Sequence, residues 1–520
     1  MEAELARSMK GLSLEGEGPP YFLLYRLTER RTRSWSASLG APLGRSEREE
    51  RTLYVEARVG SPKLDNTGPG YNGVSSQATG GGETLRHQLW RLTDAAYKSA
   101  LAGWLEKKAR RAVEPDPDGL PDFSVETPAR DEEPSPVSEP GDWPERVRAL
   151  STVFRGRPHL LDGHAYVDLP WTRRWLMTTE GTRIASPAEQ APARLVAFAR
   201  TRAEDGMELE AQRSWVSRTA DGLPSLEVAR AGLVKMLDEL MADRAAPLQE
   251  PVAAPALADP DFSSVLFHEA LGHKLEGQRQ RDPAQSGLFR DRVGQRILPE
   301  FISLYDDPTL EELGGKPSHG GYRYDDEGVA ARRATLVDHG VLKGFLMSRW
   351  PAKGFPASNG HGRAEPSRHP VARMAVLVVE AHVRTPVAEL KRRLMRLCRE
   401  SGKSYGFLLV GAYSGQNDVS RALAQTLEVR PRRVLRVDAR TGKETPVRGV
   451  KLVGTPLTLL NRIVAAGDDT APLNTHHCGA ESGMVSVGQA APSLLISEAE
   501  FQRLPEERAR LPVLPSPLER

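Results

Sequence analysis

The chain has 520 residues, enough for two or three domains with substantial cores. With 39% apolar and 27% charged residues and a net charge of +2, it offers no electrostatic case for binding nucleic acid or a membrane surface. No apolar run reaches the ~18 residues of a membrane span, the first residues lack a secretory apolar stretch, and two cysteines argue against a disulfide framework, so a cytoplasmic chain with no membrane partner is expected.

YFLLYRL and RTLYVEARVG, within 21–60, predict strands, with the charges of TERRTRSW between them as a solvated turn or edge. Residues 66–82 are rich in turn formers and carry no phosphate-loop motif. Leu85, Leu89, Leu92, Ala96, Ala100 and Trp104 recur at helical spacing over 83–112, and Lys107, Lys108, Arg110 and Arg111 suit a solvated C-terminal turn. Residues 113–144, rich in Pro and acid, predict a surface excursion or linker. HAYVDLPW and WLMTTEGTRI read as strands, as do 193–201 and 207–216, which Glu204-Asp205-Gly206 joins. Pro224 and Ser225 open a helix with Leu226, Leu233, Leu237, Leu240 and Met241 on one side. The Pro/Ala stretch 246–261 predicts a connector, which divides the chain into an N-terminal α/β domain (1–245) and a C-terminal β-rich domain (246–520).

The chemistry is concentrated in DFSSVLFHEALGHKLEG, residues 261–277. His268 and His273 can hold a zinc ion, and Glu269 beside the first can take a proton from a zinc-bound water. The familiar protease spacing sets the histidines four apart, on one helical face; here they are five apart. Five residues turn a regular helix about 140° past a full turn, against about 40° for four. Both imidazoles then reach one ion only through a widened turn, such as a π-type bulge, and Gly272 has no Cβ to resist it. The same residues also suit a buried helix that happens to carry two histidines.

Downstream, Asp338-His339-Gly340 predicts a hairpin turn with His339 exposed. Strands are expected at 371–381, 405–413, 433–438 and 447–453, the last two joined at Thr441-Gly442. Thr385-Pro386 is read as the cap of a helix whose Leu390, Leu394, Leu397 and Cys398 share a face, and a second short helix is expected at 456–466. Cys398 therefore reads as a buried inert thiol. Cys478 follows the loop-like GDDTAPLNTHH, from which a thiolate could be brought to a metal, with His476 and His477 as rival ligands.

HEALGHKLEG resembles the HExxxH signature of the TldD/PmbA family of zinc metalloproteases. YDDEG at 324–328, LVDHGVLKGFL at 336–346, PVRGVKLVGTPLTLLNRIVAAGDD at 446–469 and HCGAESGMVSVGQAAPSLLIS at 477–497 are similar to later family blocks in the same order, and Glu180-Gly181 to an N-terminal one. The resemblance implies a two-lobed α+β fold whose C-terminal, antiparallel β-rich domain carries a distorted zinc-binding helix. It implies Zn2+ on His268, His273 and Cys478, with Glu269 as general base. It implies hydrolysis of unfolded or leader peptides bound as an added strand, and a homodimer or a heterodimer with a sister subunit. The alternative is a non-catalytic scaffold subunit of such a complex, against which the retention of all four site residues speaks. A DNA-associated regulator is disfavoured by the net charge of +2. His319, His361, Arg363 and Tyr413 are candidates to stabilise an oxyanion. Departures from the family pattern fall at 274–278, 358–376 and 480–483, where they would reshape the substrate cleft.

Overall fold

The computed structural model describes residues 1–14, 17–114, 118–132, 142–186, 193–217, 219–282, 284–285, 287–417, 419–420 and 426–504, with backbone only at 417 and 475–477. It is two-lobed and mixes helices with strands, as expected.

The first lobe is an antiparallel sheet. β1 (Phe22–Ser38) and β2 (Ala41–Arg58) form a hairpin closed by Leu39 and Gly40, both at positive φ (50° and 79°), the backbone of a tight turn that matches strand twist. The charged stretch expected as a solvated turn or edge thus lies inside β1, which is paired on both sides. Cross-strand pairs such as Arg51–Glu29, at 2.7 Å, and Arg33–Glu47, at 3.2 Å, let strands this polar continue into solvent. With β3 (Val74–Gln77), β4 (Leu160–Thr178), β5 (Ala193–Arg202) and β6 (Glu208–Ser217), the order is β6-β5-β4-β1-β2-β3, so β6 is an edge.

Helix α1 (Gly82–Val113) sets Leu89, Ala96, Tyr97 and Ala100 on Leu23, Tyr25, Leu53 and Val55. Its basic end is not wholly solvated: Lys107 is buried and donates to Asp122 at 2.6 Å. Asp122, Phe123 and Ser124 belong to the expected excursion and are buried, so the run is anchored there, while its residues 115–117 and 133–141 lie outside the described residues. Helix α2 (Leu226–Arg244) begins as expected, with the Ser225 hydroxyl accepting from the Val228 amide, and packs Leu233 and Leu237 beneath β5.

The second lobe holds two larger sheets. The Pro/Ala connector is itself a strand, β7 (Val252–Ala258), because its alternate residues Ala254, Ala256 and Ala258 are small enough to be buried between sheet and helix. β7 pairs parallel to β8 (Tyr405–Asn417) and antiparallel to β9 (Leu494–Arg503). β10 (Leu427–Asp438) and β11 (Val450–Gly454) complete a closed ring, β7-β8-β10-β11-β9. The short helix ends at Asn461, and Ile463–Gly467 is a strand on β9, since its apolar residues pair there. No side chain caps Val387–Glu400, whose N-cap is Pro386 rather than Thr385. The other sheet ends in β12 (Ala471–Ala480), which among the described residues pairs only with β13 (Gly483–Ala491) and so forms an edge. The expected hairpin at His339-Gly340 is present, both residues at positive φ, with His339 exposed and stacked on His382.

Ion pairs clasp the lobes together. Arg349 donates to both carboxylate oxygens of Glu180 at 2.8 Å, Arg174 pairs with Asp326 and Arg281 with Asp122, and a hydrogen bond of 3.1 Å joins His369 to Glu56. Arg349 links the Glu180-Gly181 and Asp325-Asp326-Glu327-Gly328 motifs across the lobe boundary, its guanidinium donating to Glu180 and its amide to Glu327 at 2.7 Å. Away from the clasp the lobes leave a cleft of about 1900 Å³, lined by β6 and α2 on one side and by β8 and β12 on the other.

Candidate metal centre

Asp259 starts the helix that carries the motif. Its carboxylate accepts from the Phe262 amide at 2.8 Å and from the Gly411 amide at 2.9 Å, fixing helix α3 (Pro260–Phe267) to β8. Phe262, Leu266, Phe267, Ala270 and Leu271 bury one side of this segment in the core. After Phe267 the helix widens: His268–Gly272 is π-helical, and the His273 amide bonds the carbonyl of His268, five residues back. This is the distortion that the five-residue spacing demands. Gly272 serves it differently from the expectation. Its dihedrals, φ −49° and ψ −58°, are open to any residue; what requires glycine is room, because a Cβ there would overlap the Met374 sulfur.

The two imidazoles stand nearly perpendicular, with centroids 4.9 Å apart. Cys478 joins them from β12, on a strand rather than on the expected loop, and it is 2% exposed. Ligand atoms of His268, His273 and Cys478 all lie within 4.8 Å of one another. The Sγ of Cys478 is 3.6 Å from Nε2 of His273. A thiolate at about 2.3 Å and an imidazole at about 2.0–2.1 Å from one ion, at a tetrahedral angle, would stand about 3.6 Å apart. The donor set thus fits a tetrahedral metal of the zinc type. Of the rival ligands His476 and His477, the side chains lie outside the described residues.

Charge couples the sulfur to the imidazoles. Burial pushes the Cys478 thiol up, but His268 and His273 override it and hold the thiol well below its ordinary range. Burial pushes His273 down, yet Cys478 and Glu276 hold it well above. Glu276 lies 2.9 Å from Nδ1 of His273, which turns Nε2 towards the sulfur. Burial alone would raise Glu276; Arg279, His273 and Arg373 bring it down to about 2. Arg279 bridges Glu276, at 2.8 Å, to Glu481, at 2.7 Å.

Glu269 is half-buried on the cleft wall with His268, His273 and Cys478. β8 passes so close that a Cβ at Gly415 would collide with its side chain. Of the four oxyanion candidates, only Tyr413 lines the cleft, and burial pushes its phenol up to about 12. His361 is enclosed between Asp306, at 3.2 Å, and Asn359, at 2.9 Å, because Asp306 is anchored by the Ala375 and Val376 amides and draws the imidazole inward. Arg363 donates to the Ser486 carbonyl at 2.9 Å, and His319 is buried away from the cleft. Sequence reading gave Glu276, Arg279 and Arg373 no role at the metal centre. Glu276 carried a signal: a carboxylate three residues after a candidate ligand can face that ligand's outer nitrogen.

Residues 251–503 match the family profile "PmbA/TldA metallopeptidase C-terminal domain". The chain is 30% identical over 236 residues to a metalloprotease of Methanocaldococcus jannaschii, covering 45% of this chain and 47% of that one. It is 29% identical over 259 residues to a metalloprotease TldD homolog of Haemophilus influenzae, covering 48% of each. It is 24% identical over 247 residues to a zinc metalloprotease TldD homolog of Saccharolobus solfataricus, covering 47% of this chain and 50% of that one. The chain thus spans about half the length of these relatives. In overall fold it is similar to TldE of Thermococcus kodakarensis (TM-score 0.63, 14% identity, 96% and 99% coverage) and to a protein of Thermotoga maritima described as a putative modulator of DNA gyrase (TM-score 0.65, 14% identity, 96% and 98% coverage). The profile match and the run of TldD relatives place residues 251–503, the metal-centre lobe, in the TldD/PmbA family.

Proposed function

We propose that the chain is a zinc-dependent peptidase acting on unfolded or leader peptides, with His268, His273 and Cys478 as metal ligands and Glu269 as general base. One observation carries the reading: three ligand atoms within 4.8 Å of one another, on the wall of a large cleft, with a carboxylate beside them. Zinc, when bound, supplies Lewis acidity that polarises a carbonyl and acidifies a water. Glu269 takes the proton of the attacking water and delivers it to the leaving amine. Glu276 keeps the His273 tautomer that presents Nε2.

The cleft is bordered by two edge strands, β6 and β12, whose free backbone groups can pair with an extended peptide with little demand on its sequence. The metalloprotease names of the relatives support a peptidase, and the likeness to TldE supports a sister subunit in a heterodimer, with a homodimer as the other arrangement. We divide the chain into domains at 245/246, just before β7. No helix among the described residues is long and apolar enough to cross a membrane, and we keep the cytoplasmic reading as part of the proposal.

The test is elemental mass spectrometry on protein purified without added metal, followed by peptide cleavage with wild type and Glu269→Gln. About one zinc per chain, with cleavage lost in the variant, supports the reading. A folded wild-type protein without metal defeats it and favours the scaffold subunit.

A further inference from the structure

Arg373, a buried cation beside the metal centre, has been given no task of its own so far. Arg373 is 0% exposed. Its Nη1 donates to the Ser482 hydroxyl at 3.0 Å and to the Gly483 carbonyl at 2.9 Å. Its Nη2 donates to the Cys478 carbonyl and, at 3.2 Å, to the Cys478 sulfur. Its Nε stands 3.5 Å from Oε1 of Glu276, the oxygen that holds His273. One side chain thus touches a candidate ligand directly and a second through the carboxylate behind it.

The carbonyl and hydroxyl contacts account for holding the turn between β12 and β13. They do not require the sulfur contact, and they do not require a cation beside Glu276. A charged donor to a ligand thiolate draws electron density from the sulfur, so the thiolate gives less to its metal and the metal stays more acidic. This offsets the damping that a thiolate ligand brings to a hydrolytic site. A lysine could not replace the planar fork, since a point charge on a flexible stem cannot reach the turn, the carbonyl and the sulfur together.

We propose that Arg373 is a positioning residue of the metal centre: it fixes the Cys478 thiolate, braces His273 through Glu276, and withdraws charge from the sulfur. The proposal rests on the ligand set His268, His273 and Cys478 given above. Its test is cobalt(II) titration of the metal-stripped protein, read from the thiolate-to-cobalt charge-transfer band in the near ultraviolet. The wild type, Arg373→Gln, Arg373→Lys and Ser482→Ala are compared, with folding checked by circular dichroism.

Arg373→Gln is expected to bind cobalt ~10–100-fold more weakly. Its band should move to lower energy, because an undonated sulfur gives up its electrons more easily. Arg373→Lys should move both readings in the same direction by less, and Ser482→Ala should leave the band in place. An unmoved band and wild-type affinity in either folded Arg373 variant would overturn the proposal while leaving the metal site intact. Unfolding of both variants would make Arg373 a purely structural residue and overturn it equally. A wild type without any thiolate band would instead bring down the ligand set itself.

Discussion

Cys398 and Cys478 are both shut away from solvent, at 0% and 2% exposure, yet their surroundings give them opposite chemistry. Cys398 sits on the inner face of the Val387–Glu400 helix, among Leu390, Leu394, Ala465 and Leu495. Burial pushes its thiol up to about 11, and the nearby Arg399 does little to oppose this. Cys478 is just as enclosed, but two imidazoles and the Arg373 guanidinium surround its sulfur, and the balance turns towards the thiolate. Burial therefore does not decide whether a cysteine is structural or reactive; what is buried with it does.

The sharpest way to break the comparison is to remove each sulfur in turn. Cys478→Ala should abolish stoichiometric zinc and peptide cleavage together, whereas Cys398→Ala should keep both, as read by elemental analysis and a cleavage assay on the same preparations. Equal zinc in the wild type and Cys478→Ala would move the third ligand to another residue. Next in size is the carboxylate beside the histidines. Glu269→Gln should keep the metal and lower kcat by ~10²–10⁴-fold, because only proton transfer is lost. Metal loss in that variant would make Glu269 a ligand rather than a base. Smaller again is Glu276→Gln, which still reaches His273 but without its charge: metal affinity should fall ~10–100-fold, measured by chelator competition. An unchanged affinity would show that the buried carboxylate serves Arg279 and Arg373 instead.

The same contrast marks what could be read from the sequence. Cys398 was legible because helical spacing alone puts it on the apolar face with Leu390 and Leu394. The widened turn at His268–Gly272 was legible because a five-residue spacing leaves few ways for two imidazoles to converge. Nothing local in GDDTAPLNTHHCG showed that Cys478 would lie on an edge strand, since Gly, Asp and Asn there suggest a loop and the pairing partner comes later, at Gly483–Ala491. Charged strands misled in a similar way: the Arg and Glu residues of β1 and β2 lack an apolar period, and only the cross-strand register turns them into partners. The lobe clasp, Glu180 with Arg349 and Asp326 with Arg174, joins residues more than 150 positions apart, a contact to which periodicity is blind. Arg373 stayed hidden for the same reason: its partners Cys478, Ser482 and Gly483 are brought to it by the sheet.

The smallest effect tests the quiet side of the comparison. The folded-state Cys398 thiol titrates at about 11, above its ordinary value of 9.0. The native state therefore binds the proton more tightly than the unfolded chain does. The resulting stabilisation is complete below pH 9 and is lost as pH rises through 11. Cys398→Ala removes the titration along with the sulfur. At pH 7 the variant should be less stable by ~1 kcal/mol, from lost packing at a core position. As pH rises above 9 the wild type should lose stability that the variant does not, so their melting temperatures converge. A gap that stays constant from pH 7 to beyond pH 10 would mean that the thiol is not held up by its apolar shell, and the contrast with Cys478 would then rest on that site's imidazoles alone. A fall in zinc content in Cys398→Ala would be the more serious result, because it would tie the helix-borne sulfur to a centre that no contact of its own reaches.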